Sequence, residues 1–130
     1  MSQNAYQKYK KTSIHSASRE KLLLMMYEGA MKFVKKAIMA CEEKDIAARG
    51  ENIGRAYDVI MELNNTLNHE IGGEVAKNLE QLYIFMLEQL TKANINGDPQ
   101  PLKDTLKILN TLYDGWVQAI EKLKTQNDKL

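Results

Sequence analysis

Cys41 is the only cysteine in the chain. No intramolecular disulfide can form, so the stapled frameworks of small secreted domains are excluded and a reducing, cytosolic setting is expected. Proline is almost absent: Pro99 and Pro101 are the only two in 130 residues. No run approaches 18 apolar residues and the N-terminus has no apolar signal-peptide core, so neither membrane insertion nor a cleaved leader is expected. Eighteen Lys and Arg stand against 17 Asp and Glu, a net charge of +1, and a dedicated nucleic-acid binder usually carries a marked basic excess. Histidine is limited to His15 and His69. Neither HExxH nor paired CxxC occurs, which argues against zinc. Thr12 and Thr66 stand where a di-iron bundle would need the glutamate of Glu-x-x-His. No metal and no cofactor is expected.

What is present points to helices. The chain is 44% hydrophobic and 27% charged, enough for one domain that buries roughly two-thirds of its unfolded surface. Residues 1–17 read as a separate basic arm. They hold Lys8, Lys10 and Lys11, no acid, and few apolar contacts beyond Ala5, Tyr6, Tyr9 and Ile14, too few to fold alone. Lys8, Lys10, Lys11 and the following Arg19 leave 14 positive charges against 17 negative in the remainder, so the small total conceals a basic arm beside an acidic body.

Ser18 is a good N-cap with Glu20 in the first turn. Leu23, Met26 or Tyr27, Ala30, Val34, Ala37 and Cys41 then recur at helical spacing, ending near Glu43 or Lys44. Asp45 caps a second stripe of Ile46, Ile53, Ala56, Ile60, Leu63 and Leu67. Gly72-Gly73 is the strongest break in the chain. A third stripe runs Val75, Leu79, Leu82, Met86, Leu90 and Ala93, ending in Asn94-Ile95-Asn96-Gly97. Asp98-Pro99 reads as a cap and first-turn proline before Leu102, Leu106, Leu109, Tyr113, Trp116, Ile120 and Leu123. Short loops make sequential helices antiparallel. The expected fold is an all-α, antiparallel up-down four-helix bundle over 18–125, with a flexible N-terminal arm at 1–17 and a frayed C-terminus at 126–130.

At 100° per residue the apolar arcs of the first and last helices span about 200° and 180°, against a little over 100° for a bundle face. The surplus fits thick packing, a groove for a helix or extended peptide, or a dimer face. The six methionines after Met1 suit an adaptable apolar surface, although such residues are more often core. Chemistry is thinner. Gly72-Gly73 lacks the Lys-Ser/Thr of a phosphate loop. His69 stands where its helix is ending rather than in mid-helix, unlike the histidine of a phosphotransfer bundle. Cys41 lies on an apolar arc and reads as a small core residue. Gly29, Gly54 and Gly115 fall inside helices, where glycine costs about 1 kcal/mol relative to Ala.

Several strings together resemble one family, the flagellin-specific export chaperones of bacterial flagella (FliS). Asn4-Ala5-Tyr6 matches its opening motif. Ser16-Ala17-Ser18, Leu22 and Met25-Met26-Tyr27-Glu28-Gly29-Ala30 resemble its first helix. Asp45 to Glu51 with Ile53, Ala56 and Ile60 resembles its second, and Gly72-Gly73-Glu74-Val75-Ala76-Lys77-Asn78-Leu79 its most specific string. Leu82-Tyr83, Met86, Leu90, Ala93-Asn94-Ile95, Asp98, Asp114, Trp116 and Ala119 follow in register, so the resemblance covers roughly residues 4–120. The chain departs from the pattern at Arg19 (usually Pro), at Glu88-Gln89 (usually paired arginines) and at Gly115 (usually Ala). These departures bear on charge-based recognition and leave the apolar account intact.

The resemblance implies a non-enzymatic cytosolic chaperone without cofactor. It would bind the disordered C-terminal segment of flagellin one-to-one, block premature polymerisation and keep the client competent for flagellar type III export. Export-gate components and regulatory flagellar proteins are further implied partners. The expected groove comprises Tyr57, Val59, Met61, Ile71, Ile84, Leu87, Ile108, Leu112 and Val117. The arm, through Ala5, Tyr6 and Tyr9, is expected to occupy part of it when no client is bound. The alternatives are a self-associating bundle whose surplus face is a homodimer seam, and a histidine phosphotransfer domain using His69.

Overall fold

The computed structural model describes residues 18–128, which fold as four helices: α1 (Arg19–Glu42), α2 (Ile46–Asn65), α3 (His69–Asn96) and α4 (Gln100–Asp128). Each helix packs on its sequence neighbours and α4 closes the ring on α1. The antiparallel register is visible in the pairings. Glu20 lies near Lys124 and Glu28 beside Tyr113 across α1 and α4, while Arg49 reaches Asn94 and Tyr57 lies near Leu87 across α2 and α3. The bundle is therefore the expected up-down arrangement. The arm lies outside the described residues.

Local chemistry sets the helix ends. Ser18 accepts a hydrogen bond from the Lys21 N–H at 3.3 Å, Asp45 from Ala48 at 3.0 Å and Asn68 from Ile71 at 3.1 Å. Each satisfies one donor that the first helical turn cannot. At the end of α1 the Asp45 N–H donates to Ala40 O at 2.9 Å and the Lys44 N–H to Cys41 O at 3.2 Å. That closure requires Lys44 to adopt φ 58°, a left-handed conformation where a side chain is strained. Gly97, at φ 69°, ends α3 without that strain, its N–H donating to Ala93 O.

Three boundaries differ from expectation. The chain turns from α2 to α3 at Thr66–Asn68, before Gly72-Gly73, because Thr66 closes α2 on Glu62 and Leu63 and Asn68 opens a new turn. Gly73 instead kinks α3 from within, at φ 51° and ψ −122°. Gly72 is also constrained, since a Cβ there would lie 2.8 Å from the Ala76 Cβ. At the other end α4 stays helical to Asp128, past the expected fraying at 126. It begins one residue later than expected: Pro99 O accepts the first helical bonds while Asp98 Oδ1 receives the Gln100 N–H at 2.9 Å.

The core contains Tyr27, Val34, Ile60, Leu63, Tyr83, Met86, Leu90, Leu102 and Leu109, each essentially sealed from solvent. Three positions on the expected stripes are exposed: Ile46 is 69% exposed, Val75 63% and Leu123 52%. Ile46 is the first residue of α2, Val75 follows the kink, and Leu123 lies beyond the last fully buried residue of α4, Leu109. The Lys44→Gly variant should be more stable by about 0.5–1 kcal/mol, since glycine removes the left-handed penalty at that turn. Urea unfolding of the two proteins measures this, and equal midpoints would refute the account of the turn.

Candidate functional site

Two apolar depressions open on the bundle. The first lies towards the end where α2 turns into α3, a cleft of about 290 Å³ whose walls include Leu23, Leu63, Leu67, Ile71, Val75, Leu79, Tyr83 and Trp116. All four helices contribute, and the kink at Gly73 shapes the α3 wall. Ile71, just before the kink, is 86% exposed, and Val75, just after it, is also bare. Val75 keeps the register of Leu79 and Met86 in the segment after the kink, so its exposure means that no neighbour covers that stretch of the stripe.

Two of the residues lining this cleft, Tyr83 and Trp116, belong to a hydrogen-bonded cluster with Tyr27. Trp116 Nε1–H donates to the Tyr27 hydroxyl at 3.2 Å, and Tyr27 and Tyr83 share a hydroxyl–hydroxyl hydrogen bond. Three helices thus meet at one buried cluster. Burial pushes both phenols above the ordinary tyrosine range, because an ionised phenolate would lose its hydration there.

The second depression, about 350 Å³, lies along the outside of the α2–α3 seam and is lined by Tyr57, Ile84, Leu87, Glu88 and Thr91. Tyr57 and Ile84 are 37% and 43% exposed, whereas Leu87, at 8%, belongs to the core. Leu87 is thus the floor of the groove rather than a free contact. Met61 follows Tyr57 one turn along the same face of α2 and is 37% exposed.

The nine expected groove residues therefore do not form one continuous surface. Tyr57, Met61, Ile84 and Leu87 share the α2–α3 seam, and Ile71 belongs to the first cleft. Val59 lies about 200° around α2 from Tyr57 and packs half-buried against the core. Ile108 and Leu112 are likewise half-buried against the core. Val117 is half-buried and, nine positions on, about 180° around α4 from Ile108. Val75, Leu67 and Trp116 belong to the first cleft and were absent from the expected set. No sequence signal marked Val75, because its spacing is that of the core stripe. Ala5, Tyr6 and Tyr9 lie outside the described residues.

Among the described residues no group of His, Cys, Asp and Glu is arranged to hold a metal ion, and no helix is long and apolar enough to cross a membrane. His69 opens α3, half-exposed, with Nε2 3.3 Å from Glu80 Oε2. Burial pushes the Cys41 thiol up, away from the thiolate form that a nucleophile needs. The clefts offer shape and apolar surface rather than reacting groups.

Such a fold and such clefts define a helical binding protein. The sequence model of the family described as Flagellar protein FliS matches residues 2–123. The Flagellar secretion chaperone FliS of Vibrio cholerae serotype O1 is 40% identical over 116 residues, 86% of this chain and 85% of that protein. The Flagellar secretion chaperone FliS of Bacillus subtilis strain 168 is 35% identical over 119 residues, 92% of this chain and 88% of its own. A solved structure titled as a flagellar chaperone from bacteria shares the fold, with a TM-score of 0.76 at 20% identity over 94% of this chain and 99% of that one. The chain belongs to the FliS family of flagellar secretion chaperones.

The hydroxyl cluster yields an ordered prediction. Tyr27→Phe should cost about 1–3 kcal/mol, because it strands both the Trp116 N–H and the Tyr83 hydroxyl, and should exceed the cost of Tyr83→Phe, which leaves the Trp116 bond in place. Urea unfolding of both variants checks the order; the reverse order would refute it. With both native pKa values raised, the unfolded state releases protons first, so the contribution is complete below the ordinary tyrosine pKa of about 10 and falls as pH rises above it. Native stability should decline above that pH more steeply than in the double Phe variant.

Proposed function

We infer that this chain is a cytosolic export chaperone that binds the disordered C-terminal segment of flagellin one-to-one. By occupying that segment it prevents premature polymerisation and keeps the subunit ready for flagellar type III export. The observation that carries this reading is the pair of open apolar clefts, lined by side chains as bare as Ile71 and Val75, on a bundle of the flagellar secretion chaperone family. A client of this kind folds as it binds, its apolar residues leaving water against the clefts. Two separated clefts suit a client that wraps the bundle in pieces better than one that inserts a single helix.

The arm fits the same scheme as a gate. Leu23, one turn into α1, lines the first cleft, so the segment preceding Ser18 begins within a few residues of that cleft. Ala5, Tyr6 and Tyr9 are the apolar groups such a segment could lay into it. The client then displaces the arm. Export-gate components and regulatory flagellar proteins are the remaining partners of this reading.

Replacing Met61, Ile84 or Ile71 singly with Asp should weaken a flagellin C-terminal peptide by about tenfold or more, since each buried apolar side chain contributes on the order of 1.5 kcal/mol. Helicity should be retained, because these side chains are exposed. Ile108→Asp should also lower stability, because that side chain already packs on the core. Titration calorimetry and circular dichroism supply both readouts, and unchanged affinity in all three exposed variants would reject the clefts. Deleting residues 2–15 should alter peptide affinity and bundle protection; if both stay as they are, the arm is no gate. Sedimentation distinguishes the one-to-one complex from a homodimer indifferent to peptide.

A further inference from the structure

We propose that the outward face of α1 docks an acidic amphipathic segment of a partner protein. A shallow groove of about 360 Å³ there is lined by Glu28, Met31, Lys32, Lys35, Lys36 and Met39. At 100° per residue these six fall within about 140° of helix circumference, centred opposite the buried stripe of Ala30, Val34 and Ala37. Met31 is buried to 8% exposure and forms the floor, while Met39 is 57% exposed. Lys32, Lys35 and Lys36 are all exposed, and none makes an ion pair among the described residues. The one acid lining the groove, Glu28, is engaged by Tyr113 of α4.

Three unpaired cations beside a polarisable apolar floor define their complement. The occupant is a segment of about three helical turns, roughly 17 Å, matching the span from Glu28 to Met39. It sets apolar side chains against Met31 and Met39 and carboxylates against the three ammonium groups. Methionine accommodates varied apolar shapes, and the lysines select for acid. A nucleic acid is a poorer fit, because none of the six residues is aromatic and Glu28 repels phosphate. A membrane surface is poorer too, since Met39 is the only exposed apolar group among them. The groove shares no residue with either apolar cleft, so this partner and a client in the clefts can be held together.

The test uses the full chain with isotope-labelled methionine methyls and a fluorescein-labelled peptide of repeating Glu-Leu-Leu-Glu units. Binding should shift the Met31 and Met39 methyl signals and leave those of Met61 and Met86 in place. The combined Lys32→Glu, Lys35→Glu and Lys36→Glu variant should bind about tenfold more weakly or worse, and added salt should weaken the wild-type complex. Failure to bind, equal binding of the peptide with Gln for every Glu, unchanged affinity in the triple variant, or shifts confined to Met61 would overturn the proposal. So would preference for oligouridylate RNA or phosphatidylglycerol vesicles over the peptide. Circular dichroism of the triple variant should match wild type, because all three side chains face solvent; lost helicity would mean that this face is structural.

Discussion

The hydrogen-bonded cluster of Tyr27, Tyr83 and Trp116 is the constraint around which the bundle is arranged. α1 and α3 lie diagonally across the ring, with backbones too far apart to touch, and the two tyrosines bridge that distance. Their hydroxyls cannot leave water unpaired without a cost of roughly 1–3 kcal/mol, so each must find the other. Trp116 brings α4 to the same point. Apolar packing alone tolerates small rotations and slips between helices. A buried hydroxyl pair with one indole donor does not, because its geometry is directional.

That anchoring lets other parts of the bundle remain open. Toward the Gly97 turn, Leu90, Ala93, Leu102 and Leu109 close the core completely. Toward the opposite end α4 contributes half-buried residues, α3 bends at Gly73, and a cleft remains that Tyr83 and Trp116 of the cluster help to line. The cluster therefore separates a half whose interior is closed from a half whose interior opens into the first cleft, while the second cleft lies on the outside of the closed half. Turn chemistry supports the division: Asn68 and Gly73 steer the start of α3, and Gly97 and Asp98 close the other end tightly.

Binding surfaces follow from which helix faces are left without a neighbour. In a ring of four each helix has two adjacent partners, so its outer margins are free. On α2 and α3 those margins carry Tyr57, Met61 and Ile84. On α1 the free face carries three lysines over methionine. The apolar clefts and the basic groove are different chemistries on different faces of one scaffold. One scaffold with little reactive chemistry among its described residues thus presents two kinds of surface to solvent.

Much of this was legible in the residues alone. Ser18, Asp45 and Gly97 mark helix ends through side-chain or backbone chemistry local to a few positions, and the three-and-four spacing identifies the buried stripes. The helix count and the antiparallel order follow from such local rules, and the family follows from strings such as Gly72 to Leu79 that lie in register. The site was only partly legible. Val59 and Tyr57 are both apolar on a wide arc, yet they point about 200° apart, and one packs inward while the other faces solvent. Leu87 and Ile84 lie three positions apart, and one is floor and the other rim. Val75 shares the stripe of Leu79 and Met86 yet lies where no neighbouring helix covers it. Periodicity reports which face of a helix is apolar, but not which part of that face a neighbour covers. The sequence by itself determined the elements, the ends marked by Ser18, Asp45 and Gly97, and the family, because those depend on interactions within a turn or two. Only the tertiary structure decided where the clefts lie, because exposure depends on how closely a second helix approaches.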